Sequence, residues 1–213
     1  MEQVGFYFNA KRCTGCKTCV LACKDYRDLD ASVSFRQVYE VAHGSWAQDD
    51  RGCWAHDCFA FYVSCACNHC SSPACMEVCP TGASYRTEDG VVLVDSEKCI
   101  GCKYCMAACP YQARWVDDDT GEVGKCTFCH HRTAHGLLPA CVSTCVTRAR
   151  YFGDLDDPSS DIAKKVADVG GEALFADLGL NPSVLYVGLS QVEGLPATSA
   201  IHRGGNVVKP YEG

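Results

Sequence analysis

The sequence lacks a long apolar run. Its longest nearly uncharged stretch, Cys58 to Cys67, is about half of the ~18–20 residues a membrane helix needs, so no direct membrane span is expected. It also lacks an excess of positive charge: the formal net charge is −7, and bulk attraction to nucleic acid is not expected. Met1-Glu2-Gln3-Val4-Gly5 has no basic region leading into an apolar stretch, so the expectation is no cleavable signal of its own. No Walker loop, dinucleotide fingerprint or nucleophile–base constellation occurs. Gly170-Gly171 and Gly204-Gly205 are isolated pairs and read as turns. What remains is a chain of 213 residues with ordinary hydrophobic content and no visible substrate chemistry, sized for one or two compact domains.

Cysteine is what the chain has in abundance, 19 residues of it. That density means a disulfide scaffold or a metal protein. Disulfide scaffolds are usually short secreted chains, which favours metal here. Sixteen of the cysteines fall into four groups: Cys13, Cys16, Cys19, Cys23; Cys67, Cys70, Cys75, Cys79; Cys99, Cys102, Cys105, Cys109; and Cys126, Cys129, Cys141, Cys145. Every group opens with C-x2-C and closes with C-x3-C. Groups one and three read C-x2-C-x2-C-x3-C, the run that holds [4Fe–4S] clusters in two-cluster ferredoxins. Three closely spaced thiols wrap three corners of one cubane. The helical turn that follows carries the fourth away to the other cluster. Cys79-Pro80 and Cys109-Pro110 complete that signature, and Gly15 and Gly101 give the tight loops a permissive backbone. Group four alone could pass for zinc. Three cysteines at x2 spacing, as in groups one and three, fit a lone tetrahedral ion poorly.

The groups belong to a longer repeat. Four residues beyond the closing cysteine of groups two, three and four stand Ala83, Ala113 and Ala149; six residues beyond stand Tyr85, Trp115 and Tyr151. A turn leading into a strand is expected there, its aromatic covering the cluster. Group one departs, with Arg27 and Leu29 in those places. Ser84–Thr87 and Val91–Val94 flank Glu88-Asp89-Gly90, a hairpin signal. Trp115-Val116 and Glu122-Val123 suggest a second hairpin, and Gly5–Phe8 a strand entering group one.

The expected fold is α+β: two bacterial-ferredoxin-like 2[4Fe–4S] modules, a β insertion and a C-terminal helix/strand extension. Residues 1–25 plus 120–155 form the module of groups one and four, and 67–119 that of groups two and three. Residues 26–66 are the insertion, with one strand from Val33, Phe35, Val38, Tyr39 and Val41 and another from Phe59, Phe61 and Val63. Residues 156–213 are the extension: a helix within 158–179 capped by Ser159 or Ser160, a strand over Val184 to Leu189, and a tail from Ser190 to Gly213 without periodicity. Exchange of fourth ligands inside each module gives four expected sets. These are Cys67, Cys70, Cys75 with Cys109; Cys99, Cys102, Cys105 with Cys79; Cys13, Cys16, Cys19 with Cys145; and Cys126, Cys129, Cys141 with Cys23.

Other chemistry-bearing residues read more plainly. Cys53, Cys58 and Cys65 stand outside the register as buried or free thiols. His69, His130 and His131 adjoin grouped cysteines, but each group already has four ligands without them. Tyr104 and Tyr111 read as packing. No catalytic residue is assigned.

Several stretches resemble a known family. Cys13-Thr14-Gly15-Cys16-Lys17-Thr18-Cys19 through Ala22-Cys23-Lys24-Asp25, Val33-Ser34-Phe35-Arg36, Cys67-Asn68-His69-Cys70, Pro73-Ala74-Cys75 and Cys99–Cys105 are similar to the iron–sulfur (beta) subunit of the dimethyl sulfoxide reductase family of molybdopterin oxidoreductases. The likeness covers about residues 3–155 and fades beyond. It implies a non-catalytic electron-transfer subunit with four [4Fe–4S] clusters. The implied partner is a large catalytic subunit holding molybdenum or tungsten on molybdopterin, with a quinol or other donor and a membrane anchor subunit in some assemblies. Some relatives put tryptophan for one cysteine of group three; here all four are present. Val146 stands where the family often has proline, a departure that bears on the local turn. The implied location is cytoplasmic, or the outer face of the cell membrane after co-export with the catalytic subunit. A soluble polyferredoxin, or an electron-transfer partner of a hydrogenase or formate system, is the alternative.

Overall fold

The computed structural model describes residues 3–117 and 119–189; the predicted tail, Ser190 to Gly213, lies outside them. The first strand, β1 (Val4–Asn9), is buried along nearly its whole length. Such an apolar run suits a strand covered on both faces. The chain then turns into α1 (Thr18–Arg27), whose ten residues carry Cys19 and Cys23.

The insertion follows as β2 (Arg36–His43), β3 (Trp46–Gln48), β4 (Trp54–His56) and β5 (Phe59–Ala66). The long strands β2 and β5 pair antiparallel from Arg36↔Ala66 to His43↔Phe59. The expected first strand starts later than its apolar pattern, at Arg36, which leaves Val33 and Phe35 in the approach. The short β3–β4 hairpin has no sequence signal, because Trp46 and Trp54 are exposed and leave no in/out alternation to read.

Next come α2 (Ala74–Glu77), the hairpin β6 (Ser84–Arg86) and β7 (Val92–Val94), α3 (Tyr104–Ala107), and the hairpin β8 (Arg114–Val116) and β9 (Val123–Lys125). Both hairpins match the expectation. The chain continues through α4 (His130–Thr133), α5 (Ala140–Ser143), β10 (Arg150–Asp154), α6 (Asp161–Val169), β11 (Glu172–Ala173) and β12 (Val184–Val187). The helix expected within 158–179 is nine residues long, because Gly170 ends it. Ser160, not Ser159, is its cap, accepting from the Ala163 N–H at 3.1 Å.

One four-stranded sheet ties the ends of the described chain together, in the order β10-β1-β12-β11. Strand β1 is antiparallel to β10 and parallel to β12. Its alternation splits the interior in two. Phe6 and Phe8 join the main core with Phe128, Val41, Val63, Leu174 and Tyr186. Tyr7 points the other way, into a small cluster with Ile162 of α6 and Val187. The helices pair as the cysteine groups suggest: α1 packs on α5, and α2 on α3. The sheet therefore brings groups one and four side by side although they are far apart in sequence.

Candidate metal centres

Each C-x2-C loop is built the same way. The residue before the second cysteine has positive φ in all four groups: Gly15 (69°), His69 (43°), Gly101 (66°) and Phe128 (53°). A left-handed residue there turns the backbone sharply between two thiols. At Gly15 a side chain would run into the ring of Tyr62, and at Gly101 it would meet the carbonyl of Gly121 at 2.6 Å. At the other two loops the bulky residues His69 and Phe128 stack on each other, with ring centroids 3.6 Å apart.

The closing cysteines share a second motif. Gly82, Gln112 and Arg148, three residues beyond, donate N–H to the carbonyls of Cys79, Cys109 and Cys145 at 3.3, 3.1 and 3.1 Å, and all three have positive φ. Val146 therefore stands in the same turn as Pro80 and Pro110. The backbone then points N–H groups back at the sulfur. The Ala149 N–H reaches Cys145 Sγ at 3.3 Å, and the Ser84 N–H reaches Cys79 Sγ at 3.5 Å. The buried alanines at this offset, Ala83, Ala113 and Ala149, are small because they lie against the closing thiol. Group one lacks the motif because α1 runs on through Arg27.

The aromatics at the next offset do not cover the cysteines. Tyr85 is exposed, Trp115 borders the Phe35 side of the molecule, and Tyr151 packs on Tyr7 under Lys165. Strand alternation turns the preceding residue inward instead: Ser84, Arg114 and Arg150 are all buried. The repeat is real, but the residue that faces the cysteines stands one place earlier in it.

The thiols gather, in three sets as four and in the remaining one as Cys13, Cys19 and Cys145. Cys67, Cys70, Cys75 and Cys109 line one pocket, with Asn68, Tyr111 and Arg114. Cys79, Cys99, Cys102 and Cys105 line another. Cys13 lies within electrostatic reach of Cys19 and Cys145. Cys23 lies within reach of Cys126, Cys129 and Cys141. No disulfide joins them, all nineteen cysteines being free. Among the described residues no three Cys, His, Asp or Glu side chains converge as a single-ion site would require.

Burial makes these thiols poor places for bare charge. It pushes Cys23 and Cys70 up to about 12, and Cys109 and Cys126 up to about 11. Two are different. At Cys79, hydrogen bonds from Ser84, Thr81 and Ala83 outweigh burial and bring the thiol to about 7. At Cys141, burial is outweighed by the guanidiniums of Arg36 and Arg150, which hold the thiol below its ordinary value.

Cations are buried beside the thiols. Arg114 donates from Nη2 to Cys75 Sγ at 2.9 Å and from Nη1 to Ser84 Oγ at 3.0 Å. Lys125 is buried next to Cys126 and donates to its carbonyl at 2.8 Å. Arg36 and Arg150 are only 2% and 3% exposed, and their guanidinium nitrogens without a hydrogen-bonded oxygen face the Cys141 thiol. The Asn68 amide, on the first pocket, is buried and unpartnered. Orphaned buried donors are costly unless something anionic answers them. A thiolate-bound iron–sulfur core carries that negative charge, so these residues fit such a group. Nothing in local spacing announces Arg36, Lys125 or Asn68 for this role; Arg114 and Arg150 have the offset repeat as a signal.

The remaining candidates fall elsewhere. His69 Nδ1 accepts from the Val92 N–H at 3.1 Å, and burial holds the ring neutral. His130 faces Asp89 at 4.0 Å, and the His131 carbonyl contacts His135. Tyr111 donates to the Leu174 carbonyl at 3.0 Å, and Tyr104 is exposed. Cys53 and Cys58 are exposed; Cys65 is buried against Tyr186, and burial pushes it to about 12.

Comparison with known proteins decides the family. A model described as a 4Fe-4S dicluster domain matches residues 58–155. The B component of the anaerobic dimethyl sulfoxide reductase of Haemophilus influenzae is 52% identical over 157 residues, covering 74% of this chain and 77% of that one. The chain belongs to the iron–sulfur subunits of the dimethyl sulfoxide reductase family of molybdopterin oxidoreductases. The corresponding B component from Escherichia coli is 50% identical over 171 residues, with 80% and 81% covered. The B component of the tetrathionate reductase of Salmonella typhimurium is 38% identical over 193 residues, with 88% and 73% covered. Members of this family are iron–sulfur electron-transport subunits of reductase complexes. Among the described residues no helix is long and apolar enough to cross a membrane.

Proposed function

We propose that this chain holds four [4Fe–4S] clusters and relays electrons between a quinol or other donor and a catalytic subunit bearing molybdenum or tungsten on molybdopterin. The ligand sets are Cys67, Cys70, Cys75, Cys109; Cys99, Cys102, Cys105, Cys79; Cys13, Cys16, Cys19, Cys145; and Cys126, Cys129, Cys141, Cys23. Two ferredoxin-like modules, groups two with three and groups one with four, follow from that exchange. The observation that carries the reading is the gathering of the grouped thiols beside buried guanidiniums that meet sulfur and no carboxylate.

When bound, each cluster supplies a one-electron couple. The residues of the chain keep water from the inner thiols, aim N–H groups at the closing sulfurs and place positive charge between the sets. Cys16 and Cys102 are exposed, so the two outer sets are where electrons enter and leave. The chain itself carries no substrate chemistry.

Affinity purification of the tagged chain from anaerobically grown cells tests this. The expected product is a brown complex with one large pterin-bearing subunit. A brown protein recovered alone favours the polyferredoxin reading, and a colourless zinc protein contradicts both.

A further inference from the structure

Arg36 and Arg150 come from different parts of the chain yet converge on one ring. Their guanidinium carbons lie 5.1 and 5.3 Å from the centroid of Phe6, and Arg150 also lies 5.2 Å from that of Phe8. Neither meets a carboxylate among the described residues. Arg36 donates to the Ser64 hydroxyl at 3.4 Å, and both guanidiniums bond the Cys141 thiol. Two like charges buried together without a counter-ion would be strongly unfavourable. What surrounds them, besides the ungrouped thiol of Cys65, is thiol sulfur from two sets. Arg36 faces Cys141, Cys126 and Cys23 of one set and Cys19 of the other. Arg150 faces Cys141 of the first and Cys13 of the second.

We propose that Arg36 and Arg150 form a paired cationic bridge between the cluster sites of Cys13, Cys16, Cys19, Cys145 and of Cys23, Cys126, Cys129, Cys141, raising the reduction potentials of both. Phe6 and Phe8 seat the pair; their ring faces attract the guanidiniums and exclude water. Each reduction adds one negative charge, which the bridge stabilises at either site. In the other half of the molecule Arg114 spans the two sets, with Lys125 also near Cys75. It touches Cys75 of one set and lies beside Cys105 of the neighbouring set. The inference rests on the four-cluster reading above.

The test is anaerobic potentiometric titration of the assembled complex, read by electron paramagnetic resonance, for the wild type and for Arg36→Met, Arg150→Met and Arg114→Met. Arg36→Met and Arg150→Met should each lower the same two of four one-electron transitions. The oxidised-to-reduced ratio at fixed potential should change at least tenfold, which is about 59 mV for a one-electron couple. Arg114→Met should lower the other two. Arg36→Lys and Arg150→Lys keep the charge and should recover most of the shift; they also serve if a methionine variant fails to fold. A shift of one transition only, no shift, or overlapping pairs for Arg36 and Arg114 would overturn the bridge. A wild type without four transitions would instead overturn the four-cluster reading.

Discussion

The outer and inner cysteine loops solve one geometric problem in two ways. All four need a left-handed residue before the second cysteine. The outer loops use Gly15 and Gly101, and their second cysteines, Cys16 and Cys102, are exposed. The inner loops use His69 and Phe128, and Cys67, Cys70 and Cys126 are buried. A left-handed non-glycine residue costs roughly 1–2 kcal/mol. Inside, that strain is offset because the two side chains stack and fill the junction between the inner sites. In the outer loops a side chain would run into the Tyr62 ring or the Gly121 carbonyl, so the position takes glycine. Glycine thus marks where the cluster loops meet the outside, and a bulky residue marks where they meet each other.

Removing single ligands should divide the two classes most sharply. Cys141→Ser, inside, is expected to lose its cluster and the folded state with it. Cys16→Ser, outside, should leave soluble protein with about twelve irons, counting four per cluster. Iron analysis of the soluble fraction measures both, and equal behaviour would break the distinction. Next in size is Phe128→Ala, expected to destabilise by about 3–5 kcal/mol, as large aromatic deletions in cores do. Gly15→Ala should cost less, about 1–2 kcal/mol from backbone strain, with Tyr62 moving aside. Anaerobic denaturation of the loaded protein orders the two. The smallest effect concerns the closing turns. Val146→Pro should be stabilising by about 0.4–1 kcal/mol, because Pro80 and Pro110 already occupy that turn position. A loss of stability there would mean the third turn differs from the first two.

Much of the site is legible in the sequence because cysteine spacing is local. The loops, both hairpins, β1 and the cap of α6 all depend on residues close in sequence. The buried counter-charges do not. Arg36 and Lys125 acquire their role from strands folded against distant thiols, and no spacing records that. Tyr85, Trp115 and Tyr151 mislead for a simpler reason. An aromatic at a fixed offset invites a role at the cofactor, yet strand alternation assigns the inward place to Ser84, Arg114 and Arg150. The β3–β4 hairpin escapes notice because both its tryptophans face outward and no apolar rhythm remains.

Metal and acid-labile sulfide analysis of the anaerobically isolated protein tests the central claim most directly. Four filled sets predict about sixteen iron atoms with matching sulfide and no zinc, four irons per cubane. Zinc bound at the same cysteines without sulfide would contradict it.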